Sequence, residues 1–187
     1  KDGYLCLVLR KTPDQILLKD ALSYYKGKIP DKHIAWILSS LYNISCYFEY
    51  LGISHNSIQL DTVFISPEFH SSSILGGWWY SVKQGNKLIS VPKKIFDIIP
   101  PHVKNKKVGN IEIDLESIRL IGRELLGDSS GTRLSGMRGI PSKIIDWVRG
   151  VSSSSAKKDY AKWVETLNKT YGSRKFITMD IDINKLY

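Results

Sequence analysis

The chain has 187 residues, 42% of them hydrophobic, with a net charge of +9 and a pI near 9.4. That length and composition suit one domain with a sizeable core. No apolar run approaches the ~20 residues of a membrane span and no secretory signal is visible, so membrane insertion and export are not expected and a cytoplasmic location is.

In chain order, the run Tyr4-Leu5-Cys6-Leu7-Val8-Leu9 predicts a short apolar strand. Residues 14–25 predict a first amphipathic helix, with Asp14 as its cap and Ile16, Leu17, Leu18, Ala21 and Leu22 apolar. Asp31 is placed to cap a long second helix running to about Tyr50. Ile34, Ile37, Leu38, Leu41, Ser45 and Phe48 recur in it at spacings of three and four, and Gly52 stops it. Val63, Phe64 and Ile65 form an apolar strand, and Ser71-Ser72-Ser73 fits a hairpin tip. A further helix begins near Asp114 and closes at Asp128-Ser129-Ser130-Gly131. The basic, glycine-rich stretch from Gly131 to Gly139 reads as a mobile loop. Helices follow at 142–151, with Ile144, Ile145, Trp147 and Val148 apolar, and at 156–171, with Tyr160, Trp163, Val164 and Leu167 apolar. Ser152 to Ser155 make a flexible bridge between them, and Gly172 ends the second. Residues 175–179 suit a strand or an extended tail. Cys6 and Cys46 lack zinc-like spacing and read as buried free thiols, and no internal repeat is apparent.

Residues 55–65, His-Asn-Ser-Ile-Gln-Leu-Asp-Thr-Val-Phe-Ile, have the rhythm of a protein-kinase catalytic loop, H-R-D-L-x-x-x-N. On that pattern His55 keeps the histidine, and Asn56 replaces the arginine. Ser57 sits where the catalytic Asp belongs, Gln59 at the usual lysine and Thr62 at the metal-binding Asn. Gly77, in Ile74-Leu75-Gly76-Gly77-Trp78-Trp79-Tyr80, falls at the Asp of D-F-G a hairpin's length later. Pro100-Pro101-His102-Val103 resembles A-P-E with His102 for its Glu. The run Asp114 to Arg123 resembles the central helix of the kinase C-terminal lobe, whose opening Asp fastens the catalytic-loop backbone from below. The resemblance runs in order from about residue 4 to residue 176. It implies a mainly α (α+β) kinase-like C-lobe, a helical bundle with short β-hairpins near the catalytic-loop position. That single domain would span 1–187 without an N-lobe, close to divergent bacterial or phage kinase-like domains. Lys1 is no initiator Met, so a fragment or processed product of a longer chain is expected.

The same resemblance implies lost chemistry. Phosphoryl transfer depends on positioning and on metal ions that neutralise charge. A serine at Ser57 cannot replace a carboxylate, Thr62 offers one hydroxyl oxygen and Gly77 offers no ligand, so no cofactor is expected. The only acid inside the loop, Asp61, would face away. His55 is expected to pack and hydrogen-bond within the loop, because a base two residues from Ser57 with no oxyanion motif is a weak signal. His33, His70 and His102 share no ligand spacing. Trp78 and Trp79 read as one core residue and one surface anchor, although they could stack a ligand.

The excess positive charge clusters at Lys93 and Lys94, at Lys104, Lys106 and Lys107, at Arg133 and Arg138, and at Lys157 and Lys158. On the kinase template the first three clusters lie near the substrate-facing side. Together with Trp78 and Trp79 they form the candidate binding surface, weighed against an ordinary solvated surface. The expectation is a catalytically inactive, pseudokinase-like binding or scaffold module for a protein partner, with an acidic one among the candidates. The alternative is a noncatalytic protein that holds nucleic acid nonspecifically on its basic face. Part of an active kinase or other phosphotransferase, with its other lobe upstream, is a third reading.

Overall fold

The computed structural model describes residues 8, 10–172 and 177–186. Along these residues run β1 (Ile16–Leu17), α1 (Leu18–Tyr24), α2 (Asp31–Tyr50), β2 (Ile53–Ser54), β3 (Val63–Ser66), β4 (Ser71–Ile74) and β5 (Val82–Lys83). Then come α3 (Lys93–Ile98), α4 (Pro101–Lys106), α5 (Ile111–Leu125), α6 (Ser142–Arg149) and α7 (Ala156–Tyr171). The chain is mixed α/β, with seven α-helices and two small antiparallel sheets among the described residues. The sheets have the orders β1-β3-β4 and β2-β5. No described helix is long and apolar enough to cross a membrane. The expected strand at 4–9 and Cys6 lie outside the described residues, apart from the exposed Val8.

Helix α2 follows its apolar spacing and is buried well beyond it. Ile34, Ile37, Leu38, Leu41, Ser45 and Phe48 face the core as expected, and His33, Ala35, Trp36 and Tyr42 are also covered. A helix packed on several sides cannot keep a polar face. α2 lies against α5 on one side and α7 on another, with β4 alongside.

Several local expectations are corrected by partners distant in sequence. The first helix starts at Leu18, because Ile16 and Leu17 pair with Ile65 and Phe64 of β3. Asp14 therefore caps nothing; its carboxylate accepts from the Ser66 hydroxyl. Pro30 holds the cap position of α2, and Asp31, the first helical residue, accepts from the Tyr171 hydroxyl at 2.5 Å. Ser71 to Ser73 are not a hairpin tip but strand β4, paired residue by residue with β3. The turn lies at 67–70, where Pro67 cannot donate to a ladder and His70 takes a left-handed φ of 48°. Helix α5 starts one turn before Asp114, capped by the Asn110 side chain accepting from the Glu112 N–H at 2.9 Å.

The segments read as loose are tethered. Within 131–139 a 3₁₀ turn sends Leu134 into the core, and Asp128 organises its start by accepting from the Ser130 hydroxyl and the Arg133 N–H. Ser152 and Ser153 donate their backbone N–H groups to Glu116 and Asp159, and Ser155 caps α7. Helices α6 and α7 keep their predicted places, and Ile144, Ile145, Val148, Trp163 and Leu167 are buried. Residues 177–182 carry no regular secondary structure but are tied down, with Met179 buried and the Asp180 carbonyl accepting from the Tyr25 hydroxyl at 2.9 Å; the first part of the expected tail at 175–179 lies outside the described residues.

Helix α5 is the axis of this arrangement and is buried along nearly its whole length despite carrying Glu112, Asp114, Glu116 and Arg119. Each of those charged groups meets a partner from another element, as a buried charge must. Its approach to α6 depends on Gly122, where a Cβ would lie 2.6 Å from Val148 Cγ1 and 3.1 Å from Leu38 Cδ1. Substitution Gly122→Val should cost about 3 kcal/mol through overpacking, read as a lowered urea midpoint. An unchanged midpoint would show that the helices can separate freely.

Candidate functional site

The segment joining β2 to β3 turns on two backbone amides. The His55 N–H donates to Asp114 Oδ2 and the Asn56 N–H donates to Asp114 Oδ1, each at 2.7 Å. Asp114 sits in the first turn of α5, where the positive end of the helix dipole also favours a carboxylate. Asn56 takes a left-handed φ of 61°, which an asparagine accepts more readily than most residues. Its side-chain amide donates to the Ser54 carbonyl at 3.1 Å and to the Tyr80 carbonyl at 2.9 Å. The loop is thereby fastened from below by a carboxylate and from the side by a carboxamide.

Above this clasp Ser57, Gln59, Thr62 and Gly77, which the sequence pattern singled out, come together. Ser57 Oγ accepts from Gln59 Nε2 at 3.2 Å. Thr62 Oγ1 accepts from the Gln59 N–H at 2.9 Å and donates to the Ser57 carbonyl at 2.8 Å. Gly77, at φ 76°, lies so close that a Cβ there would stand 2.8 Å from Ser57 Oγ and 3.1 Å from His55 Cε1. The hydroxyls of Ser57 and Thr62 are thus engaged by the loop itself, and both residues are buried.

His55 is fully buried, its ring stacked 6.1 Å from Phe48 and edge-on to Trp78 at 4.7 Å. It packs as expected, but neither ring nitrogen makes a hydrogen bond of ordinary geometry. Burial pushes the imidazole down to about 4, with the Gly76 backbone opposing. Burial pushes the Asp114 carboxyl up to about 7, against the pull of the His55 and Asn56 amides. Trp78 is 38% exposed and so is not the core residue expected, although it meets Phe48 and His55 edge-on and its indole N–H donates to the Ile74 carbonyl at 3.0 Å. Trp79 is 79% exposed, the more exposed of the two.

This arrangement does not fit a magnesium ion. Ser57, Thr62 and Gly77 bring no carboxylate, Asp61 points to solvent, and Asp114 is turned to the backbone beneath the loop. Among the described residues no cluster of three His, Cys, Asp or Glu side chains could hold a metal. Nor does His55 form a hydrogen bond with Ser57 that would activate the hydroxyl.

The basic candidates divide. Lys93 and Lys94 lie on α3, Lys104 and Lys106 on α4, and Lys107 follows α4 in a left-handed conformation. Lys104 and Lys107 line one groove, whereas Lys94 is paired with Glu124. Arg133 and Arg138 belong to the loop ordered by Asp128 and packed on α6, and neither they nor Trp78 and Trp79 line that groove. His102 Nε2 donates to Glu112 Oε2 at 2.8 Å, which ties α4 to α5. The apolar wall of the groove escaped the sequence reading; its signal was Leu88, Val91, Phe96, Ile99 and Val103 interleaved with the lysines.

No family model matches this sequence, and no curated protein matches it. The functional reading therefore rests on the geometry.

The two shifted groups act on stability in opposite directions. From about pH 4 to 7 the unfolded state ionises Asp114 while the folded state holds its proton, so this group lowers stability as pH rises. From about pH 6.5 down to 4 the unfolded state protonates His55 while the folded state does not, so this group lowers stability as pH falls. Relative to wild type, Asp114→Asn should gain ground as pH rises through the first window. His55→Phe should gain ground as pH falls through the second. Urea unfolding of the three proteins from pH 4 to 7.5 measures both, and parallel curves would contradict the assignments.

Proposed function

We propose that this chain is a kinase-C-lobe-like module that binds a protein partner and carries no phosphotransfer chemistry of its own. The observation that carries the reading is the double hydrogen bond from the His55 and Asn56 amides to Asp114. It joins the loop at 55–62 to the first turn of α5, where the kinase resemblance requires an Asp to fasten the catalytic-loop backbone. The order of elements supports the same reading: a short helix, a long helix, the loop, a hairpin, and a buried helix below the loop.

The side chains above the clasp support the noncatalytic half. A phosphoryl acceptor needs a carboxylate to take or orient its proton, and the metal needs anionic oxygens. Ser57, Thr62 and Gly77 supply neither, and Gly77 leaves no space for an Asp without displacing Ser57. What such a lobe retains is a rigid scaffold with a strongly basic surface, suited to holding a partner.

Calorimetric titration of Mg-ATP into the 187-residue chain, and into any longer native form, tests this directly. We expect no saturable heat at millimolar nucleotide and no transfer of labelled γ-phosphate to a protein acceptor. Saturable, magnesium-dependent binding would overturn the noncatalytic reading.

A further inference from the structure

The segment at 88–91, helices α3 and α4 and the first turn of α5 enclose a cavity of about 620 Å³. Its walls are Leu88, Val91, Phe96, Ile99, Val103 and Ile113. Ile99, Val103 and Ile113, with Ile95, form a small apolar cluster separate from the main core, and the cavity opens on its outer side. At its mouth Ile89 is 88% exposed and Phe96 47% exposed. Apolar side chains left in water on a concave surface mark a place where something docks.

The charge around the cavity says what kind of molecule that is. No acidic residue lines it, while Lys104 and Lys107 do. Over 87–107 the sequence holds six lysines and a single acid, Asp97. Lys94 is neutralised by Glu124 and Lys104 leans 3.7 Å from the centre of the Phe96 ring, but Lys93, Lys106 and Lys107 form no ion pair among the described residues. A ligand that fills the cavity must bring apolar groups, and one that complements its rim must bring negative charge. Nucleic acid meets only the second requirement. Its bases need flat aromatic platforms, and five of the six wall residues named above are aliphatic. A peptide meets both.

We propose that this groove binds a short acidic peptide segment that places large apolar side chains in the cavity and Asp or Glu on the lysine rim. The inference rests on the binding-module reading and names the class of partner for it. The cavity lies within the size range of small-ligand pockets and has room for about two or three side chains. The lysines speed encounter and set the preference for acidic sequences, while the apolar wall supplies the affinity.

Selection of a random dodecapeptide library on the immobilised 187-residue chain, with oligothymidylate as competitor, tests the proposal. Enriched peptides should be net acidic with at least two large apolar residues. Anisotropy titration of the most enriched peptide should show affinity falling about tenfold in Ile89→Ser, which carries no charge change, and in the Lys104→Glu/Lys107→Glu pair. Ile89 and Lys107 are exposed and Lys104 is partly so, with its Nζ also donating to the Phe96 carbonyl at 3.1 Å, so an unchanged melting temperature must verify the fold of each variant, and Lys157→Glu/Lys158→Glu on α7 should bind as wild type. Failure to enrich, enrichment of basic or uncharged sequences, binding indifferent to Ile89→Ser, or displacement of every peptide by oligothymidylate would each overturn it. The Mg-ATP titration reports separately. Nucleotide binding alongside an acidic peptide consensus would sink the noncatalytic reading and leave the groove. A failed selection without nucleotide binding would sink the groove alone.

Discussion

The structure depends on one buried carboxylate. Asp114 has no access to water, and its two oxygens are taken by adjacent amides of a loop almost sixty residues earlier in the chain. Removing it would leave two buried N–H groups unpaired, each a cost of about 1–3 kcal/mol. The clasp therefore sets where β2 ends, how Asn56 reaches the Tyr80 carbonyl, and why Ser57 presses on Gly77.

The same logic extends along α5. A helix with this many charged side chains would ordinarily lie on a surface, yet α5 runs through the interior. It can do so because each charge serves a different neighbour. Glu112 meets His102 of α4, Glu116 accepts the Ser152 N–H before α7, and Arg119 reaches Asp159 of α7 and the Trp147 carbonyl while lying 4.2 Å from that indole ring. Such pairs contribute little net stability against an apolar core, but an α5 displaced by one turn would lose all of them together. In this chain they act as position markers for α4, α6, α7 and the loop at 55–62. The apolar groove between α3 and α4 is a by-product of that positioning, since His102 and Glu112 hold α4 against the start of α5.

What could be read in advance followed from locality. The ends of α2 and α7 were legible because apolar periodicity and a stopping glycine, Gly52 or Gly172, coincide within a few residues. Strand β1 was read as helix because two apolar residues carry no period, and only Ile65 and Phe64 across the sheet decide it. Asp14 and Asp31 were misread as caps since nothing local reveals that Ser66 and Tyr171 will claim them. At the candidate site, Ser57, Thr62 and Gly77 were found by a motif's rhythm, and Asp114 by its place in the same template. The groove had no such template to point to it. Its walls come from three helices and a connecting segment, and no one of these shows a pattern by itself.

Native-state hydrogen exchange at the His55 and Asn56 amides is the most direct test of this account. If the Asp114 clasp organises the loop, both amides should exchange only through global unfolding. They should become selectively fast in Asp114→Asn while the amides of α2 and α7 keep their protection. Rapid exchange of either amide in the native protein would show that the loop is not held from below, and the kinase-like reading built on that hold would fall with it.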